Sequence, residues 1–217
     1  MSIYQVIYLT LLILCLLISL FTYKQSKSLK IFPLLLCLSL ITEITVDFMY
    51  FLLNYDNEYN IIYHIYIPLE YSFLSYFFYL NNSHQVKKYI EVSIPLFILA
   101  SGLISGFVIS ITDFPGLNFN LAGTLLILWS VITLFSVQPT ANVSITSLPV
   151  FWICIGILVF HTGIFFFNGV YEHIQQKNSL LAQQLHRLTI KSLNYIMYIC
   201  FSIAFICSHR MKKYSSQ

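Results

Sequence analysis

The stretch NIIYHIYIPLEYSFLSYFFYL, residues 60–80, decides how this chain is read. It is apolar and aromatic almost throughout, yet Glu70 stands near its centre with Pro68 just before it. Its length matches the roughly 20 mostly apolar residues that a helix needs to cross a bilayer. A charge at the centre of such a helix costs about 2.5–3.5 kcal/mol on insertion scales, so an acid there signals a partner or a task. The preceding apolar stretch carries a second acid, Glu43, at matching depth. Two acids at one depth predict a paired polar site between neighbouring membrane helices.

Composition points the same way. Of 217 residues, 58% are hydrophobic and only 9% are charged, with a mean hydropathy of +0.79. A soluble domain carries about 25% charged residues, so this chain cannot clothe a water-facing surface. The net charge is +3 and the basic residues fall in short clusters at span ends, which speaks against nucleic-acid binding. Cys15, Cys37, Cys154, Cys200 and Cys207 lie inside apolar runs, are odd in number and form no CxxC pair. They read as small buried hydrophobes, not as a disulfide framework or zinc ribbon.

Seven segments qualify as spans, at about 3–22, 31–53, 60–80, 92–112, 119–137, 149–170 and 188–208. The expectation is an all-α, polytopic membrane protein, with residues 1–217 forming a single seven-helix transmembrane domain. Lys24, Lys27 and Lys30 follow span one, Lys87 and Lys88 follow span three, and Arg210, Lys212 and Lys213 follow span seven. The opposite side receives Lys177, Arg187 and Lys191 with the acids Asp56, Glu58, Asp113 and Glu172. The positive-inside rule then predicts the N-terminus outside and the C-terminus in the cytoplasm. Span one lacks a basic n-region and a small-residue cleavage site, so it is expected to stay attached. The link 171–187 reads as an extension of span seven or as a short helix at the membrane surface. Gly102 and Gly106 form a GxxxG in span four, predicting close helix packing there.

The polar residues at depth are the candidates for ligand or proton binding. Glu43 and Asp47 share one face of span two at i,i+4. His64 and Glu70 belong to span three, where Pro68 frees a carbonyl. His161 lies near the centre of span six, and Asn194 lies in the outer half of span seven. They lean towards the external half, predicting a pocket between spans two, three, six and seven that opens outward. Each also has a plain packing reading: Glu43, Glu70, His161 and Asn194 as hydrogen-bonding glue between helices, Asp47 as a group reaching the external headgroups. No catalytic residue, cofactor or metal is assigned. A serine protease would want a GxSG turn, whereas Gly102-Leu103-Ile104-Ser105-Gly106 has one residue too many and His161 lies two spans later. No HxxxH or HExxH pair supports zinc. A retinal lysine would sit midway along span seven, and Lys191 lies near its outer end.

Three stretches, IYIPLEYSFLSYFFY (65–79), LPVFWICIGILVFHTGIFFF (148–167) and LNYIMYICFSIAFIC (193–207), carry a resemblance. Together with Glu43, Pro68-x-Glu70, Phe151-Trp152, Gly156, Gly163 and Asn194 they resemble a set of small seven-span bacterial membrane proteins of unknown function. His161 departs from that pattern, which favours tyrosine there. The resemblance implies a bacterial inner-membrane location and no particular activity. The leading expectation is a receptor-like or sensory module in the lipid bilayer. It would bind a ligand or proton in its outer half and pass a helix shift to a cytoplasmic or membrane signalling partner. A small transporter or proton-coupled channel is the alternative, and an intramembrane enzyme stands third. The oligomeric state stays open.

Overall fold

The computed structural model describes residues 3–23, 26–52, 60–137 and 144–215, and among these every regular element is helical. The helices are α1 (Ile3–Thr22), α2 (Phe32–Leu52), α3 (Asn60–Asn81), α4 (His84–Phe107), α5 (Gly116–Ser136), α6 (Pro149–Lys177) and α7 (Ser179–Ser215). Lys24, Asp56 and Glu58, which enter the charge count above, lie outside the described residues.

Six of the seven helices are long and apolar enough to cross a membrane: α1, α2 with the short 3-10 turn before it, α4, α5, α6 and α7. The chain is thus a multi-pass membrane protein by length and composition. Its surface agrees. Phe135 is 88% exposed and Phe107 85% exposed, amid many other exposed apolar side chains, as suits helices that face lipid. The exception is α3, the helix quoted at the outset, in which Asn60, His64, Glu70, Asn81 and many tyrosines dilute the apolar run. Helix α3 packs against α2, α4 and α5, so much of its face meets protein rather than lipid.

In hydrocarbon every backbone polar group must be satisfied internally, which is why only helices appear. The hydroxyls follow the same rule by bonding back one turn. Thr10 donates to the carbonyl of Val6 at 2.8 Å, Ser39 to Leu35 at 3.0 Å, Thr45 to Ile41 at 2.7 Å and Thr133 to Trp129 at 2.6 Å. Helix neighbours form a circuit: α1 on α2, α2 on α3, α3 on α5, α5 on α6, α6 on α7 and α7 back on α1, with α4 against α3 and α5. At one end of the core, fully buried Phe32 meets Phe77 of α3 and Phe201 and Phe205 of α7 edge-on, at 5.4, 5.3 and 5.6 Å between centroids.

Two sequence expectations change. The link 171–187 is divided between α6 and α7, and the break comes at Asn178, whose Oδ1 accepts the Leu181 N–H at 3.0 Å as a cap. At 1.5 Å per residue, α6 with 29 residues and α7 with 37 are about 44 and 56 Å long, more than a bilayer's ~30 Å core. Their polar ends therefore project beyond it. The second change concerns glycine. A Cβ at Gly102 or Gly106 would meet nothing within 4 Å, so the GxxxG face of α4 makes no close helix contact here. Close approach occurs instead at Gly123 of α5, against His161, and at Gly156 and Gly163 of α6, against α7. GxxxG spacing allows a close crossing but does not say which face of a helix turns inward.

Candidate functional site

The acids of α2 and α3 sit where four helices meet. Glu43 and Glu70 are half-buried and within electrostatic reach of each other. From α1 come Gln5, whose amide donates to Asp47 Oδ2 at 3.1 Å, and Tyr8, whose hydroxyl lies in hydrogen-bonding reach of Glu43. From α7 come Lys191, in electrostatic reach of both Asp47 and Glu43, and Tyr198, whose hydroxyl is 3.4 Å from that of Tyr8. On α3, Tyr66 one turn before Glu70 donates its hydroxyl proton to Glu70 Oε1 at 2.9 Å. The same Tyr66 oxygen lies 2.8 Å from Ser39 Oγ of α2, which joins α3 to α2. The helical spacing is the local cause: Glu43 and Asp47 at i,i+4, Tyr66 and Glu70 at i,i+4, and Lys191, Tyr195 and Tyr198 at i,i+4,i+7 each fall on one face.

The remaining candidates lie elsewhere. His64 ties together α3, α4 and the loop after α4. Its Nε2 is 3.0 Å from the carbonyl oxygen of Asp113, an acceptor only, so Nε2 carries a proton. Its Nδ1 lies 2.7 Å from Ser105 Oγ, which also accepts the Asn118 amide at 2.9 Å. The histidine that meets Ser105 is thus His64, not His161. His161 is buried on α6 and packs on the rings of Phe119 and Phe160 and against Gly123. It faces α5, so the expected grouping of spans two, three, six and seven is replaced by α1, α2, α3 and α7. Asn194 donates to the carbonyl of Ile190 on its own helix at 3.0 Å. A groove of about 360 Å³ on α5 and α6 is lined by Thr124, Ile127, Thr162 and Phe165, none of which belongs to the carboxyl cluster.

Sequence reasoning passed over Gln5, Tyr8, Ser39, Tyr66 and Tyr198, and it left Lys191 outside the site. Tyrosine is common here, with 16 in the chain, so a tyrosine at helical spacing from an acid carries little signal by itself. Lys191 was readable as a charge near a span end, but its facing partners are set by tertiary contact. The mid-span Trp129, in contrast, has a packing role: its Nε1–H donates to the Tyr71 hydroxyl at 3.4 Å, joining α5 to α3. Among the described residues no group of three His, Cys, Asp or Glu side chains is placed to hold a metal ion. Comparison with protein-family models, with characterised proteins and with solved structures finds no match.

Proposed function

We propose that residues 1–217 form one seven-span domain of a bacterial inner membrane, N-terminus outside and C-terminus cytoplasmic, with α3 as the seventh span. In this reading the chain is a receptor-like sensory module. It binds a ligand or proton at the cluster of Glu43, Asp47, Glu70 and Lys191 and signals to a cytoplasmic or membrane partner. One observation carries the reading: α7 runs unbroken from Ser179 to Ser215 while bringing Lys191 and Tyr198 to the acids. A ligand or proton taken up beside Lys191 alters the pull on its ammonium group, and a continuous helix carries the displacement to its far end. Such coupling needs an element with two positions that the ligand biases.

The test is isolation of the full chain from its native membrane in mild detergent, with wild type beside Lys191→Met. The expected result is a co-isolating partner protein whose yield changes in the variant. Solute or proton flux through the purified chain alone in proteoliposomes, with no partner recovered, would overturn it. That outcome would establish the second reading, a small proton-coupled transporter, which is favoured by the row of polar groups from Lys191 through Glu43 and Tyr198 to Glu70 and Ser39.

A further inference from the structure

Two of the hydrogen-bond rows that cross between helices among the described residues differ in their proton count. In the first, the Trp129 indole N–H donates to the Tyr71 hydroxyl at 3.4 Å, Tyr71 donates to Ser93 Oγ at 2.8 Å, and Ser93 donates to the Ile90 carbonyl at 2.7 Å. Three contacts are served by three protons, one each from Trp129, Tyr71 and Ser93. The row is closed and needs nothing further.

The second row runs Glu70, Tyr66, Ser39, Leu35. Tyr66 donates to Glu70 Oε1 at 2.9 Å, Ser39 donates to the Leu35 carbonyl at 3.0 Å, and the two hydroxyl oxygens lie 2.8 Å apart. With an ionised Glu70 the two hydroxyls supply two protons for three contacts, and the 2.8 Å pair of oxygens between α3 and α2 is left with none. The Leu35 carbonyl can only accept. Ser39 is 4% exposed, so solvent does not fill the gap, and one of the three contacts stays empty unless the row itself holds a further proton. A protonated carboxyl supplies it: Glu70 would donate to Tyr66, Tyr66 to Ser39 and Ser39 to Leu35, and every contact is filled.

We infer that Glu70 is the proton-holding residue of the carboxyl cluster, and that its proton sets the direction of the hydrogen-bond row joining α3 to α2. Loss of that proton turns Tyr66 back to Glu70. Ser39 must then choose between Tyr66 and Leu35, so one contact is given up, either the bond between α2 and α3 or the one within α2. The two arrangements are the two positions that a proton-linked switch requires. The titratable groups in electrostatic reach of Glu70 are Tyr66 on its own helix, Glu43 on α2 and Tyr198 on α7. The row at Glu43, in which Tyr8 donates to the carboxylate and Tyr198 to Tyr8, serves two contacts with two hydroxyl protons and closes with Glu43 ionised, which assigns the proton to Glu70 rather than to its neighbour. The inference rests on the proposed reading of this cluster as the binding site, but not on the existence of a partner.

Infrared spectroscopy of the purified full chain in lipid nanodiscs, in H₂O and D₂O at neutral pH, tests it. The expected result is a protonated-carboxyl C=O band in wild type that is lost in Glu70→Gln and retained in Glu43→Gln. Ser39→Ala removes the middle acceptor, so Tyr66 and an ionised Glu70 then need only one proton. The band should weaken in that variant although Glu70 is untouched, and this readout stands even where Glu70→Gln fails to fold. Absence of the band in wild type, its survival in Glu70→Gln, or an unchanged band in Ser39→Ala would each overturn the inference. A chain that shows the band but recruits no partner keeps this inference and loses the sensory reading.

Discussion

Gly156→Ala offers a measure of how tightly α6 and α7 are joined. A Cβ at Gly156 would lie 3.1 Å from Cys200 Cβ, 3.3 Å from the Phe201 ring and 3.4 Å from the Met197 carbonyl oxygen. Carbon atoms pack best at about 3.5–4.0 Å, so α7 must retreat by roughly half an ångström. Neither a Cβ nor a backbone carbonyl can swing aside. Overpacking of this kind costs about 1–3 kcal/mol, while alanine returns roughly 0.5–1 kcal/mol as the better helix former. The net expectation is a loss of about 1 kcal/mol, or roughly 2–4 °C in Tm for a chain of this size. Gly102→Ala and Gly106→Ala meet open space and should lose nothing, gaining up to about 1 kcal/mol in helix propensity. Thermal unfolding of the three variants in one detergent, followed by circular dichroism, gives the comparison. If Gly156→Ala is as stable as Gly102→Ala, the close crossing of α6 on α7 is refuted. If Gly102→Ala is the destabilised one, α4 turns its glycine face inward after all.

Three further outcomes are expected. A reporter active only in the cytoplasm should work when fused after Gln217 and fail when inserted after Asn57, and the reverse would invert the charge-based orientation. His64→Leu removes the contacts to Ser105 and the Asp113 carbonyl, so it should cost about 1–3 kcal/mol and speed proteolysis of the 108–115 loop; unchanged cleavage would mean that His64 does not hold that loop. Phe32→Ala empties a site ringed by Phe77, Phe201 and Phe205 and should cost about 3–5 kcal/mol, read as a fall in Tm or in yield of folded protein.

The chain by itself determined its solvent and its secondary structure. Lipid acts on each segment separately, so the length and hydropathy of α1, α2 and α4–α7 are local properties that can be read one stretch at a time. The presence of Glu43 and Glu70 on consecutive helices was legible for the same reason, because hairpin-linked neighbours bring matching depths together. Tertiary structure alone decided which face of each helix turns inward. In a soluble helix the apolar stripe marks that face, but here both the bundle interior and the lipid are apolar, and the pattern is silent. That silence is why Gly102 and Gly106 looked like a packing seam while Gly156 and Gly163 make the close approach. It is also why His161 was grouped with the acids, although it faces α5. The entry of α1 into the site through Gln5 and Tyr8, and of α7 through Lys191 and Tyr198, depends on the first and last helices lying side by side. Such a contact between distant parts of the chain has no local signature, and only the assembled bundle reveals it.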